Sequence, residues 1–393
     1  LATASKIDKP YIYTKYFPLP LDKYITIHGF TEMDSRNYSY YQDVIDCLYE
    51  PLKNAGYTIL QLGGKEEQSL KRVVDLSKKT TISQTAYILK GSSLHIGADT
   101  FTAHVAGHFN IPSVILYSNN LPEVCAPYWK SSRSILIISD KKGKKATFSA
   151  VENPKTINTI LPETIANSAL TLLNLKERVN IETLFIGKKY QEQIIELIPD
   201  QVVSLEGYTG TPTIRADYYY NENFILNQLS QRKCNLVIEQ PIKVNILRQL
   251  RQNLGLIAIS IDSIDIFNFV KEIKASGLQY ALYSEKTGDE LNNLKLKYLD
   301  FNPIITKSKS KKSEMSNLEK ITEKTLFKVR RLILSNGKIY TSIAHWKDGE
   351  PIENIENPIS KIKLNNDLFW EELEGFYIYN EKPNRSPDSS GKI

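Results

Sequence analysis

Cysteine is scarce in this chain. Cys47, Cys125 and Cys234 are its three, far apart and in no Cys-x-x-Cys or Cys/His spacing. A structural zinc site is not expected, and the odd count fits a reducing compartment better than a disulfide framework. Long apolar runs are missing too. None approaches the roughly 20 residues that span a bilayer, and no signal peptide is evident. These features lead to the expectation of a cytoplasmic protein, at most peripheral to a membrane. Charge of one sign is not in large excess: +6 over 393 residues selects neither nucleic acid nor lipid. The basic tracts Lys141–Lys145 and Lys307–Lys312 lack interleaved aromatics for base stacking, so nucleic acid is not favoured.

What is present is ordinary globular material, 41% hydrophobic and 24% charged, in a chain long enough for two or three domains. Residues 1–22, with Pro10, Pro18 and Pro20, read as an extended leading segment. Strands are expected at Tyr24–His28, Tyr57–Leu62 and Ser134–Ser139, with two more in the β-α-β stretch 94–118, one before the turn at Asp99-Thr100 and one after Pro112. Between them fall a helix from about Tyr40 to Ala55, a charged helix after Glu67, a helix opening at Ser83–Thr85 and ending near Gly91, and a small-residue helix after Thr100. A closing helix spans Thr159–Leu175. Strands alternating with helices imply a mostly parallel sheet covered on both faces, here over residues 23–178.

A second α/β series is expected over 179–306. Its strands fall at Thr183–Ile186, Val202–Leu205, Asn235–Glu239, Leu256–Ile261, Leu278–Tyr283 and about 300–306. Its helices fall at Tyr190–Leu197, Asn221–Ser230, Val244–Asn253, Ile264–Ala275 and Glu290–Leu299. Residues 307–325 read as a Lys/Ser-rich loop. The segment 326–380 reads as a hairpin turning at Asn336-Gly337, with an aromatic extension at Asn366–Phe376. Residues 381–393 read as a disordered tail. The expected class is thus α/β, with two Rossmann-like domains and a C-terminal hairpin.

In a parallel sheet the C-terminal strand ends share one edge, where ligands usually bind. On that edge fall His28-Gly29, then Gly63-Gly64-Lys65-Glu66-Glu67, then Asp99-Thr100 with His104 one turn into the helix. Glycine admits close backbone approach. Asp99 and Thr100 both suit an N-cap. A helix N-terminus with a nearby histidine suits a phosphate.

Taken in order, these motifs resemble the donor-binding domain of the glycosyltransferase family 9 (heptosyltransferase-like) enzymes, which have the GT-B fold. The family has a His-Pro-Gly-like strand end, a Gly-Gly-x-x-Glu-like loop, and an Asp-Ser/Thr-Gly-x-x-His motif before a small-residue helix and Pro. Here these read Ile-His-Gly-Phe, Leu-Gly-Gly-Lys-Glu-Glu and Gly-Ala-Asp-Thr-Phe-Thr-Ala-His, with Asn110-Ile111-Pro112 after the helix. The resemblance covers about residues 23–175. It implies that Thr100, Phe101, Thr102 and His104 surround a nucleotide sugar's diphosphate. Glu67 or Glu66 would hold the ribose, and His28 and Gly29 would line the cleft. Phe101 departs from the family, which usually has glycine there.

By the same resemblance, the chain is expected to move a sugar, heptose among the candidates, from a nucleotide-diphosphate donor to an acceptor hydroxyl in an inter-domain cleft. It would need no cofactor and no bound metal, since GT-B enzymes usually manage without one and this chain has no Asp-x-Asp string to hold one. The acceptor would be a glycan, a lipid-linked glycan or a protein. The catalytic carboxylate of the family follows a Gly-Asp turn on the other domain; Asp289 in Thr287-Gly288-Asp289 is the first candidate and Asp217 the second. The domain order is reversed relative to the family, which leaves three readings: a permuted enzyme, a fragment of a larger one, or a donor-like domain fused to another module. An inert nucleotide-sugar-binding or scaffold module is the alternative function.

Overall fold

The computed structural model describes residues 9–383 apart from 65, 66, 68, 207, 264 and 265. The chain divides into two compact units, residues 1–181 with 382–393, and residues 182–381.

In the first unit the order is β1 (Tyr24–His28), α1 (Tyr41–Asn54), β2 (Thr58–Gln61), β3 (Val74–Asp75), α2 (Ile82–Gly91), β4 (His95–Ala98), α3 (Phe101–His108), β5 (Ser113–Tyr117), α4 (Pro122–Cys125), β6 (Ser134–Ile138) and α5 (Pro162–Leu172). These strands form one parallel sheet in the order β3-β2-β1-β4-β5-β6. This is the Rossmann order, and the winding reverses between β1 and β4. Every residue of β1, β4 and β5 is buried, as expected of strands covered on both faces. Helix α1 forms because Val44, Ile45, Leu48 and Leu52 recur at helical spacing, and all four are fully buried.

The parallel α/β expectation holds, with local corrections. Among the described residues no helix lies between Glu67 and α2. Arg72 and Lys78 take left-handed backbone at φ +62° and +64°, and the Asp75 carboxylate accepts from Ser77 N at 2.8 Å. Both features break a helix and leave a turn around the short β3. Helix α2 begins earlier than expected, because Thr81 and Gln84 form a reciprocal capping box.

The second unit contains β7 (Ile181–Ile186, whose first residue falls in the first unit), β8 (Ile195–Leu197), β9 (Thr213–Arg215), α6 (Glu222–Gln231), β10 (Cys234–Ile238), α7 (Val244–Gln249), β11 (Leu254–Ser260), α8 (Ile266–Ser276), β12 (Tyr280–Ser284), α9 (Gly288–Lys297) and β13 (Ile304–Thr306). It continues with β14 (Leu326–Lys328), β15 (Leu332–Ser335), β16 (Lys338–Tyr340), α10 (Ile343–Lys347), β17 (Ile359–Lys361), α11 (Asp367–Glu371) and β18 (Tyr377–Glu381). An eight-stranded sheet runs β13-β12-β11-β10-β9-β8-β15-β16, and a four-stranded sheet runs β17-β14-β18-β7. From β8 to β13 the strands succeed one another in a single direction, without the reversal of the first sheet. Burial alternates along β10, as expected of a sheet with one face covered by helices.

The tract Tyr190–Leu197 is not a helix. Its end forms β8, with Glu196 paired to Thr213 of β9 and Ile333 of β15. Val202–Leu205 is not a strand: the Gln228 side chain takes both the N–H and the carbonyl of Val203, at 2.8 and 3.1 Å. The sheet position expected for that tract is filled by β9. The hairpin turns at Asn336-Gly337 with φ +49° and +70°, the two positive values that a two-residue turn requires. It is no appendage, because β15 lies parallel beside β8 and lengthens the large sheet. The run Phe327–Ser335 splits between the two sheets as β14 and β15. The loop 307–325 contains short 3-10 turns, and buries Met315 and Ile321 in the core of the small sheet. Glu381 closes β18; residues 384–393 of the expected tail, and 1–8 of the leading segment, lie outside the described residues.

Candidate functional site

The reversal between β1 and β4 places two strand ends side by side. His28 pairs in register with Gly97, two residues before Asp99. Gly97 is small by necessity: a Cβ there would stand 3.0 Å from both the His28 carbonyl and His95 Nε2. Just beyond, Thr100 takes the N-cap position of α3 in extended conformation, but its side chain does not cap the helix. It turns instead to His28 Nδ1, 3.1 Å away, and to Thr102 Oγ1, 2.8 Å away. The first turn of α3 is therefore left without a side-chain acceptor, the condition under which a helix N-terminus receives an anion.

A buried polar chain supports this corner. Thr102 Oγ1 lies 3.0 Å from His28 Nδ1 and 3.1 Å from His95 Nε2. His95 Nδ1 lies 3.1 Å from Thr26 Oγ1. Burial pushes His95 down to about 3, with the nearby His28 adding to the shift, so its imidazole is neutral. At the other end, His28 Nε2 lies 3.1 Å from Glu67 Oε1. The Glu67 side chain is only 3% exposed, and Gln61 Nε2 reaches its other oxygen at 3.5 Å. Glu67 thus faces His28, not solvent. Gly63 makes room for it, since a Cβ at that position would meet the carboxylate at 2.1 Å.

The second cluster surrounds Asp99, whose carboxylate is buried. Arg36 Nη1 lies 3.0 Å from Oδ2, Asn120 Nδ2 donates to Oδ2 at 2.7 Å, and His104 Nε2 lies 3.8 Å from Oδ1. Burial raises the Asp99 carboxyl, and Arg36 and then His104 oppose that shift without cancelling it. Arg36 Nε and the Tyr117 hydroxyl are buried without a hydrogen-bond partner among the described residues. His104 is half exposed and stands between this cluster and solvent. The corner can therefore offer an anion helix N–H groups, the Thr100 hydroxyl, an imidazole and a guanidinium, while Thr102 stays wholly buried behind them.

Phe101 opens α3 with ordinary helical backbone; it is not among the residues with positive φ. The residue is 45% exposed, and its ring meets that of His28 in a T-shaped arrangement at 5.7 Å between centroids. Gly29 lies against the Tyr41 ring, with a Cβ position 2.8 Å from it, and Gly64 faces open space. Glu66 lies outside the described residues. The other two sequence candidates are in the second unit. Asp217 is locked in a bidentate pair with Arg215, at 2.8 and 2.7 Å. Asp289 is exposed in the first turn of α9. Arg36, Asn120 and Tyr117 were not legible as site residues, because nothing in their local sequence distinguishes them. Among the described residues no group of His, Cys, Asp and Glu is placed to hold a metal ion.

Residues 15–156 match the family model for glycosyltransferase family 9 (heptosyltransferase). The resemblance read from the motifs over 23–175 is thus found over nearly the same stretch. Among solved structures, the chain is similar to the glycosyl transferase family 9 protein from Veillonella parvula, at 20% identity and TM-score 0.32, over 40% of this chain and 48% of that one. It is also similar to E. coli ADP-heptose lps heptosyltransferase II, at 17% identity and TM-score 0.31, over 40% and 48%. A third is the iron-containing dodecameric glycosyltransferase TibC from enterotoxigenic E. coli, at 12% identity and TM-score 0.33, over 41% and 47%. The chain spans about half the length of these structures. No curated protein matches the chain.

Proposed function

We propose that the first unit binds the diphosphate of a nucleotide sugar at the start of α3, and that the protein is a glycosyltransferase of heptosyltransferase type. One observation carries the reading. The segment that matches the family model contains a switch-point helix whose first turn lacks a side-chain cap and is flanked by Thr100, His104 and Arg36. Sugar transfer to a hydroxyl leaves charge on the departing diphosphate. Helix N–H groups, the Thr100 hydroxyl and His104 would stabilise that charge as it develops, with Thr102 buried behind Thr100. Asp99 orients His104 and Arg36 around the site. Gly29 and Gly64 leave backbone accessible beside it. The ribose role assigned to Glu67 from the resemblance requires its carboxylate to leave His28, so in this reading Glu67 first supports His28.

The base that deprotonates the acceptor is proposed to be Asp289, since Asp217 is committed to Arg215. The acceptor is a glycan, lipid-linked glycan or protein hydroxyl. The proposed reaction needs no metal ion, since the leaving group is held by protein donors. Titration calorimetry and turnover with a panel of ADP- and UDP-sugars test the proposal, comparing the native chain with Thr100→Val and His104→Ala. Native binding that weakens in both variants supports it. No binding and no turnover across the panel would remove it. Binding without turnover would favour the inert nucleotide-sugar-binding module, a reading supported by the closed position of Glu67 and by Phe101 where the family has glycine.

A further inference from the structure

The outer face of α3 carries a cavity that the diphosphate reading does not use. His104 and His108, four residues apart, share that face, and with Val105 they floor a space of about 270 Å³. One wall is the leading segment at Ile12. The other is Tyr128 and Trp129, in the stretch after α4. Both walls are fixed. The Lys15 N–H donates to the Ser83 carbonyl at 3.0 Å, and Ile12 packs on the core cluster that includes Val105. Gly107 lets the opposite wall lie directly on the helix. A Cβ there would stand 2.9 Å from Pro127 Cβ and 3.3 Å from Lys130 Cα.

The lining selects a kind of ligand. Tyr128 and Trp129 meet at 5.0 Å between ring centroids, and Trp129 meets His108 at 6.5 Å, so three rings line one groove. Tyr128 is 72% exposed. Among the described residues no carboxylate, lysine or arginine lines the groove. Burial, and then the charge of Lys9, lower His108, so its imidazole is uncharged at neutral pH. A sugar ring would bring many hydroxyls to walls with few groups to bond them. A nucleobase brings a flat π-face, on which aromatic side chains stack. A site for a whole drug-sized ligand occupies roughly 300–1,000 Å³, so this groove suits one ring system.

His104 connects the groove to the head of the helix. Its Nε2 lies 3.8 Å from Asp99 Oδ1, and the same residue floors the groove. His108 lies about 6 Å further along the axis. We infer that this groove is a nucleobase subsite: the base stacks on Trp129 and Tyr128 while its diphosphate sits at the start of α3. The inference rests on the diphosphate reading above and adds to it the place of the base.

Calorimetry with ADP, UDP and inorganic pyrophosphate separates the two halves of the ligand, since pyrophosphate has no base. The native chain should bind ADP or UDP at least about tenfold more tightly than pyrophosphate. Tyr128→Ala, at an exposed position, and Trp129→Leu should each lose about tenfold for that nucleotide and keep the native affinity for pyrophosphate. Nucleotide affinity unchanged in both variants overturns the inference, as does an equal loss for pyrophosphate. Fluorescence gives a second measurement. Trp129 is one of three tryptophans, and Trp346 and Trp370 belong to the second unit. The nucleotide should quench emission from the native chain but not from Trp129→Leu, and pyrophosphate should quench neither. Quenching that persists in Trp129→Leu overturns the inference. If pyrophosphate binds and the nucleotides bind no better, the inference fails and the diphosphate reading stands. If neither pyrophosphate nor nucleotide binds, the diphosphate reading fails and takes the inference with it.

Discussion

Asp99 and Arg36 meet at 3.0 Å at the head of α3, with the carboxylate almost wholly removed from water. The pair is not a simple stabilising bridge. Burial raises the Asp99 carboxyl despite Arg36, so the folded chain holds this proton more readily than the unfolded chain does. The charge at Asp99 is therefore maintained at a cost to the fold, as expected of a group that serves a site.

A sign follows for stability. Because the folded-state value lies above the ordinary 3.8, the contribution of Asp99 to stability declines as pH rises from 3.8 through the raised value. Asp99→Asn has no such titration. At neutral pH the variant is expected to be at least as stable as the native chain, and that advantage should disappear on acidification. Its affinity for nucleotide sugars should fall, since His104 and Arg36 lose their shared anchor. Urea unfolding at several pH values, beside calorimetry, checks both parts. A variant markedly less stable at neutral pH would contradict this account.

His95 gives the opposite slope. Its value is pushed down to about 3, so protons bind the unfolded chain first as pH falls below 6.5. Stability present above 6.5 is lost between there and about 3, with a limiting slope of about 1.4 kcal/mol per pH unit. His95→Asn should flatten this acid limb. It should also cost about 1–3 kcal/mol at neutral pH, because Thr26 and Thr102 lose partners in a buried site. Unfolding curves from pH 4 to 7 decide; a limb of unchanged slope would assign the acid sensitivity to other groups.

Much of the first sheet was legible because its signals are local. Buried strands read as short apolar runs, and Pro112 and Gly56 mark the ends of elements. The motif residues His28, Asp99, Thr100 and His104 could be placed on one edge from strand order alone. Arg36 and Asn120 could not, since they reach Asp99 from loops whose paths depend on tertiary packing. The second unit was harder to read for the same reason. Glu196 lies in a strand because β9 and β15 flank it and Arg215 and Arg331 approach its carboxylate. The partner on one side, β15, arrives more than a hundred residues later. Helical spacing over Tyr190–Leu197 carried no trace of that.

Gly63 tests the Glu67 contact without altering Glu67. A Cβ there would displace the carboxylate, which is the far end of a flexible side chain, so the backbone need not move. Gly63 is not among the positive-φ glycines, and alanine restricts the unfolded chain, so Gly63→Ala should change stability by less than about 1 kcal/mol. It should nevertheless move the Glu67 carboxylate away from His28, a change that the His28 ring resonances in nitrogen NMR would report. A variant whose His28 resonances are unchanged would show that Glu67 can reach His28 by another path.

Asp289 and Asp217 differ in what their removal should do, and the difference separates catalysis from folding. Asp217 closes a buried network in which Arg215 also contacts Glu196 at 2.6 Å and stacks 3.9 Å from the Tyr218 ring. Asp217→Ala leaves Arg215 short of its bidentate partner and should destabilise the second unit by about 3 kcal/mol. Any activity lost there tracks loss of folded protein. Asp289 is exposed at the start of α9, and Asp289→Asn should change stability by no more than about 0.5 kcal/mol. If Asp289 is the base, that substitution should lower kcat by at least about a hundredfold, with donor affinity unchanged. Turnover measured beside the melting temperature for both variants gives the answer. An Asp289→Asn protein with native kcat would exclude it as the base, and would direct the search to carboxylates outside these two positions.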